Sequence, residues 1–559
     1  MHRYVNRRLQ RGQCRARAIL GRTGATQRER MRVTYLGHAG LFIETRRGSI
    51  LCDPWFSPAY YASWFPFPSN EALDPEAIAH PDFLYVSHLH RDHFDPAFLR
   101  DHVSRAATVL VPDFPLDELR RELGQLGFSR FELLPDREPV DLDGMRVMGV
   151  TEVSPSDGPL GDSALAVDDR TARLFNQNDA RPRDLEAVTA FGPYDAHFLQ
   201  FSGAIWYPGV YAFPEAEKAA LGREKRARGM DRALRFVEDV GASHVFPSAG
   251  PPCFLDDSLF AHNDLDGDEC NPFPDQTVFL AHLEARSRPG GRLVVPGSVA
   301  TLVGGTCVVR HPGSEDEVMA PFRAKRSYLA SYRARQRATI EDERQGWGAD
   351  GREVLSVLRS WWEPLLASAD HLCAGVGMPV LLRAGEVAVV VDFPARQVRG
   401  WAGERCPYRL YFEPGPFLAS VRDHCEDWVN GLLLSMRFTA ERDVGYNEAL
   451  YTFFKCLSPE RMAYADAALA GTLPPRTRPG AGRVGEGTRH RTDDGDDEWC
   501  EIGHWRVQRR CPHLQGDLTR FGRVDNGTLT CQLHGWQFDL ESGRCLTAEA
   551  GPTLRAERA

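Results

Sequence analysis

The chain has 559 residues and a formal net charge of −10, with 42% of residues hydrophobic and 26% charged. Those values describe a soluble globular chain of about three to four domains and argue against bulk binding to nucleic acid or an anionic membrane; no apolar run approaches a membrane span. The 13 cysteines, an odd number scattered mostly singly in apolar text, make no disulfide framework and point to a reducing, cytoplasmic compartment.

Residues 1–30 are basic and without periodicity, and are expected to be a disordered leader, with the fold beginning at Met31. Arginine outnumbers lysine 63 to 4 over the whole chain, the imprint of GC-rich coding. From Met31 the text Arg-Val-Thr-Tyr-Leu-Gly37-His38-Ala39-Gly40-Leu-Phe-Ile-Glu44 predicts a strand pair about a glycine turn. Gly48-Ser-Ile-Leu-Cys then leads to Asp53-Pro54. His38 reads as a polar group facing substrate or as a hydrogen-bonded loop residue.

Phe83-Leu84-Tyr85-Val86 is short, apolar and aromatic, and predicts a buried strand. Ser87-His88-Leu89-His90-Arg91-Asp92-His93 follows, and Asp95-Pro96 supplies a capping carboxylate and a first-turn proline for a helix. Three histidines and an aspartate therefore occupy one strand-to-helix loop. Imidazole and carboxylate together suit zinc, iron or manganese. This H-x-H-x-D-H text resembles the metallo-β-lactamase superfamily, over roughly residues 31–255. The resemblance implies an αββα sandwich, with metal ligands at His88, His90, Asp92 and His93 and a bridging aspartate at Asp179.

Strands and helices alternate as that fold requires. Strands are expected at Thr108–Pro112, Gly144–Val150, Leu174–Asp179, Ala196–Gly203 and His244–Ser248, and helices at Leu116–Leu126 and Glu215–Val240. Two histidines usual in the superfamily are missing, one around Glu152–Ser163 and one near Ser248. Asp157, Asp162 and His262-Asn263-Asp264 are the candidate substitutes. Gln200, Ser202, Trp206 and Tyr207 are candidate pocket residues. The acidic run 262–269 lacks the ligand spacing of a calcium loop and reads as a solvated loop. Val294–Gly297 and Ala300–Val303 read as a closing strand pair, ending a catalytic unit at residues 31–312.

Residues 313–470 form a middle α+β module. Helices are expected over Phe322–Gln345, Val354–Ala367, Phe417–Ser435 and Asn447–Leu457, with strands at Val380–Arg383 and Val387–Asp392. The module resembles the sterol-carrier type and carries no metal or nucleophile motif, so a packing or substrate-shaping role is expected. Proline and glycine make 471–497 a linker.

In the last unit, 498–559, Cys511-Pro-His513 is followed by 17 residues and then Cys531-Gln-Leu-His534. Each of two loops offers one cysteine and one histidine, flanked by short strands. A Rieske [2Fe–2S] cluster uses two thiolates on one iron and two imidazoles on the other. A zinc site could use the same atoms, although zinc fingers pair their cysteines in one knuckle. The segment resembles an all-β Rieske ferredoxin domain, which implies Cys511, His513, Cys531 and His534 as cluster ligands.

The expected protein is thus multidomain, with a relay at its tail and a metal site at its head. No Gly-x-Gly-x-x-Gly follows a strand where it would bind NAD or flavin, so the electron donor is expected to be an external ferredoxin or NAD(P)H-dependent reductase. The pairing resembles the CMP-N-acetylneuraminate hydroxylase family with the domain order reversed. It implies an O2-dependent monooxygenase with one or two non-haem irons (zinc is the alternative metal), a small-molecule substrate and a homo-oligomeric assembly. The rival readings are a metal-dependent hydrolase with a redox-sensing Rieske domain, and a non-catalytic electron carrier.

Overall fold

The computed structural model describes residues 30–154, 158–203, 205–348, 350–473, 498–548 and 551–559. The predicted leader and linker, and Asp157, lie outside the described residues apart from Arg30 and 471–473.

Two sheets face each other in the head unit. The first has eight strands in the order Thr306–Arg310, Val299–Val303, Met31–Gly37, Gly40–Thr45, Gly48–Cys52, Phe83–Tyr85, Thr108–Pro112 and Phe131–Leu134. The second has six, in the order His244–Ser248, Ala196–Gln200, Arg173–Asn178, Gly158–Asp168, Met145–Ser154 and Pro139–Leu142. Alternate side chains point inward, so Val33, Ile43, Ile50 and Leu110 meet Val147, Leu165, Leu174 and Phe198 in one dry core. Helices Pro96–His102 and Glu118–Gln125 cover the outer face of the first sheet. Helices Glu186–Phe191, Glu215–Val240 and Gln276–Ala285 cover the second. The result is an αββα sandwich. Parallel pairing of Gly48–Cys52, Phe83–Tyr85 and Thr108–Pro112 aligns their carboxyl ends, where the polar loops gather.

Two details differ from the sequence reading. The opening text makes three strands, because Gly48 at φ +139° lets the chain reverse a second time. The closing pair is Val299–Val303 with Thr306–Arg310; Val294–Gly297 is a loop whose Gly297 N–H donates to the Tyr35 carbonyl.

The middle module has a five-stranded sheet in the order Gln397–Gly400, Val387–Asp392, Pro379–Ala384, Tyr408–Phe412 and Phe438–Arg442. Trp362, Trp428, Phe453 and Phe454 fill its interior. The helix expected over 417–435 stops at Arg422, and a π-helical turn spans Val429–Leu433 after the Asp427 carboxylate accepts the Asn430 N–H at 2.8 Å. The helix expected from Phe322 is two, Glu315–Arg323 and Lys325–Gly346, broken at Ala324 (φ −124°, ψ 41°).

The tail unit is two small antiparallel sheets. One comprises Trp499–Ile502, Trp505–Gln508 and Ala556–Arg558; the other Gly522–Asp525, Thr528–Cys531 and Trp536–Asp539. Its apolar face joins a single hydrophobic cluster with helix Glu215–Val240, where Phe521 lies 5.6 Å from Phe236.

Head and middle units are locked by buried charge. The Arg437 guanidinium, wholly buried like its partner, donates to Asp256 at 2.7 Å, to the Ser63 hydroxyl at 3.0 Å and to Glu413 at 3.1 Å. Arg461 makes a two-pronged pair with buried Glu118, at 2.8 and 2.6 Å. Removing one partner of such a pair strands the other without water. Arg461→Ala, which leaves buried Glu118 with no other cation among the described residues, is therefore expected to destabilise the head–middle junction by about 3–5 kcal/mol. A fall in thermal midpoint, with a separate early transition in calorimetry, checks it.

Candidate metal centre

The loop 87–95 is held rigidly from both sides. Asp95 caps the following helix through the Phe98 N–H at 2.9 Å, while its other oxygen accepts the N–H groups of Phe56 and Ser57 at 3.0 and 2.7 Å. Asp53, fully buried, accepts the Ser87 N–H at 2.7 Å and the Ser87 hydroxyl at 2.8 Å. The same carboxylate lies 3.0 Å from His93 Nδ1. That contact fixes the ring's tautomer and aims Nε2 into the site, the usual support for a metal-binding imidazole. Tyr60 donates to Asp92 at 2.6 Å and orients it likewise.

The five residues proposed from the sequence, His88, His90, Asp92, His93 and Asp179, do converge. Ligand atoms of His88, His90 and Asp179 lie within 4.8 Å of one another, and so do those of His38, His93 and Asp179. Asp179 is thus common to two three-residue sets. Asp92 Oδ2 is 2.9 Å from His38 Nε2 and 3.8 Å from His93 Nε2. Asp162 Oδ1 stands 3.6 Å from His88 Nε2, where a substitute for a missing histidine was sought.

His38 is the residue whose role the sequence left open. It sits at the turn between the first two strands at φ +51°, and Asp53 and Asn178 are also left-handed, at +40° and +41°. Strained backbone of this kind clusters at functional sites. His262, Asn263 and Asp264 are not ligands. The Asn263 side chain bonds the backbone of Phe254, Asp264 pairs with Arg226 at 2.9 Å, and His262 packs on Phe254. The run 262–269 is therefore partly a buried clamp rather than a solvated loop, because Arg226 needs a counter-charge. Of the pocket candidates, Gln200 and Trp206 line the cavity over the site. Ser202 instead donates to the Pro272 carbonyl, and Tyr207 packs against Tyr211 and Phe213.

The donor set fits a divalent metal. His88 Nε2, His93 Nε2 and Asp179 Oδ1 are buried and make no hydrogen bond, and His38 Nε2 has only the Asp92 carboxylate, at 2.9 Å. Leaving such atoms unsatisfied costs about 1–3 kcal/mol each, which a cation between them would offset. Burial, then the neighbouring His93 and His90, push His88 well below the ordinary imidazole range, so it is neutral and ready to ligate. Burial opposes charge at His93, but Asp179 and Asp92 outweigh it and raise its pKa well above ordinary.

At the tail, the sulfurs of Cys511 and Cys531 are within hydrogen-bonding reach, so sharing a proton raises one thiol and lowers the other. Both are buried. A Cβ at Gly516 would come within 3.0 Å of Leu533 Cδ2, so the glycine leaves room for Leu533 beside Cys531. His513 and His534 ring centroids are 5.4 Å apart, and His513 stacks on Trp536 at 3.9 Å. The buried His513 Nδ1 makes no hydrogen bond, while Nε2 lies 2.9 Å from Glu448 Oε1 of the middle module. Two thiols in contact and two imidazoles on the same pair of loops fit a Rieske cluster. Glu448 was not legible as a site residue, since nothing in its helix text marks it.

One cavity of about 210 Å³ connects these sites. His38, His90, Asp92 and Asp179 line it from the head, Val429, Asn430 and Leu434 from the middle module, and Leu514 and His534 from the tail.

An αββα sandwich with a histidine–aspartate centre, coupled to an all-β unit with paired cysteine–histidine loops, defines a metallo-β-lactamase fold joined to a Rieske domain. Family models agree: a beta-lactamase superfamily domain matches residues 32–162, an SCP2-like domain of the Rv3818-like type matches 354–470, and a Rieske [2Fe-2S] domain matches 501–556. A Mycobacterium tuberculosis protein described as a Rieske 2Fe-2S iron-sulfur protein is 47% identical over 537 residues, covering 94% of this chain and 100% of that one. A Mycolicibacterium smegmatis protein of the same description is 46% identical over 544 residues, with coverages of 94% and 100%. The chain belongs to this family of Rieske 2Fe-2S iron-sulfur proteins. Among solved structures, the metallo hydrolase Igni18 of Ignicoccus hospitalis is 16% identical with a TM-score of 0.34, covering 49% of this chain and 99% of that one. CmlA, a diiron beta-hydroxylase from Streptomyces venezuelae, is 17% identical with a TM-score of 0.31, covering 49% and 54%. Among the described residues, no helix is long and apolar enough to cross a membrane.

Glu448 places a carboxylate 2.9 Å from the His513 imidazole, where its charge would disfavour an electron added to a cluster held by that ring. Glu448→Gln is expected to raise the cluster's reduction potential by some tens of millivolts at constant cluster content. Protein-film voltammetry reads this directly, and an unchanged potential counts against the contact.

Proposed function

We propose that the chain is an O2-dependent oxygenase whose Rieske cluster serves a non-haem iron centre at the head. Cys511, His513, Cys531 and His534 would hold the cluster. His88, His90, Asp92 and His93 would hold two irons, with Asp179 common to both sets and His38 completing the second. When bound, these groups would supply one-electron transfer and oxidation of a small substrate by dioxygen. The observation that carries the reading is the shared cavity: His534 and the head-site residues open on the same space. A relay lining that cavity is placed to exchange electrons with a head metal that changes oxidation state.

The protein's own residues have defined tasks in this scheme. Asp53 and Tyr60 hold His93 and Asp92 in ligating orientations. Trp206, Ile205, Val429 and Leu434 give the cavity an apolar wall that limits water and accepts the body of a substrate. Glu448 holds His513. Because relay and head site share one cavity within one chain, the reading requires no oligomer. An external ferredoxin or reductase would recharge the cluster, and a reducing cytoplasm would keep its thiols free.

The second reading, a hydrolase with a redox-sensing tail, is favoured by one observation. The histidine–carboxylate set at the head suits zinc as well as iron. Metal and turnover assays separate the two. The oxygenase carries about four irons per chain, two of them in the cluster, and consumes dioxygen only with reductant. His90→Ala is expected to abolish oxidation and deplete head-site iron while the Rieske electron paramagnetic resonance signal persists. Turnover without dioxygen or reductant, or a head site loaded with zinc alone, would establish the hydrolase instead.

A further inference from the structure

Beside Asp179 one stretch of the cavity wall gathers cations, although Asp92, Glu152, Asp162 and Asp179 also line the cavity. Arg181 and Arg183 enter it from the loop after strand Arg173–Asn178. Arg183 is committed to Glu152, to which its Nε donates at 2.9 Å. Arg181 donates to the neutral amide oxygen of Gln200, at 3.3 Å. Next to it, helix Glu215–Val240 brings Lys225, Arg228 and Arg232, whose spacing of three and four residues puts them on one face. Arg228 donates to the Gly535 carbonyl at 3.2 Å, beside His534, and has Glu224 at 3.6 Å. Among the described residues, neither Lys225 nor Arg232 forms an ion pair. Burial, then Arg228, Arg181 and Arg232, push the Lys225 ammonium down to about 7. The carboxylate that acts on Arg232 is Asp179. Once Asp179 faces a metal cation, its charge is no longer available to the arginines. Half-buried cations without a paired carboxylate are only partly compensated, so an anion from outside the chain would complete the arrangement.

We propose that Arg181, backed by Lys225, Arg228 and Arg232, is the receptor for a carboxylate or phosphate group on the substrate. This rests on the cavity being the substrate site. Together with the apolar wall of Ile205, Trp206, Val429 and Leu434, it makes the substrate a small amphipathic acid whose charged end is held by Arg181 while its apolar body lies along that wall. A guanidinium grips either oxyanion in two-pronged fashion, so the two chemical sources share one site.

The test is equilibrium binding to the full, metal- and cluster-loaded protein. Inorganic phosphate and hexanoate are titrated by calorimetry against potassium chloride of matched ionic strength. Saturable binding of at least one is expected, and which one binds separates a phosphorylated substrate from a carboxylic acid. Arg181→Gln is expected to weaken it at least about tenfold at unchanged metal content, with partial recovery in Arg181→Lys. Arg232→Gln gives an independent variant should Arg181→Gln not fold. Binding of neither anion above chloride overturns the proposal. So does full affinity in Arg181→Gln, or in Arg232→Gln where that variant stands in, since the metals alone would then hold the anion. Binding requires neither dioxygen nor reductant. Intact binding with no oxidation therefore sinks only the oxygenase reading, and oxidation without anion binding sinks only this one.

Discussion

Docking of the tail unit onto helix Glu215–Val240 is the contact on which the rest depends. Phe521, Leu518 and Leu533 join Phe236, Val237 and Val240 in one buried cluster. Each large side chain withdrawn from water contributes about 1.5–3 kcal/mol, enough in sum to hold a small domain in one orientation. That orientation puts His534 into the wall of the head cavity. Without it the tail would be a tethered carrier, and its cluster would serve the head site only by chance encounter.

The middle module closes the arrangement from the third side. Its charged locks, Arg437 with Asp256 and Arg461 with Glu118, fix it to the sandwich. Its helix Glu448–Lys455 then presents Glu448 to His513, and its π-helical turn supplies Val429 to the cavity. The middle module thus supplies part of the wall of the space between the head and tail sites. Its interior is filled by tryptophan and phenylalanine side chains.

Legibility from sequence followed the physics of locality. The strand Phe83–Tyr85, the capped helix after Asp95 and the long helix Glu215–Val240 were readable because period and caps are local signals. So was the convergence of His88, His90, Asp92 and His93, which lie on one loop. Asp179 was reached through family likeness rather than spacing. What was not legible depends on distant packing. His38 joins the site because two strands place their turn opposite a loop some fifty residues later, about the separation that no window spans. Asp53 and Tyr60 support ligands from other loops, and Glu448 reaches across a domain boundary. His262 and Asp264 misled because acidic, histidine-bearing text looks the same whether it binds a metal or clamps an arginine.

The central claim is that relay and head site act as one redox unit inside a single chain. It is tested most directly by stopped-flow absorbance on anaerobically reduced protein mixed with dioxygen. The account predicts that the cluster in the unaltered chain reoxidises at least about tenfold faster than in a form stripped of head-site metal by mutation of its histidines. Equal rates in the two would contradict it, since dioxygen would then be taking electrons from the cluster directly.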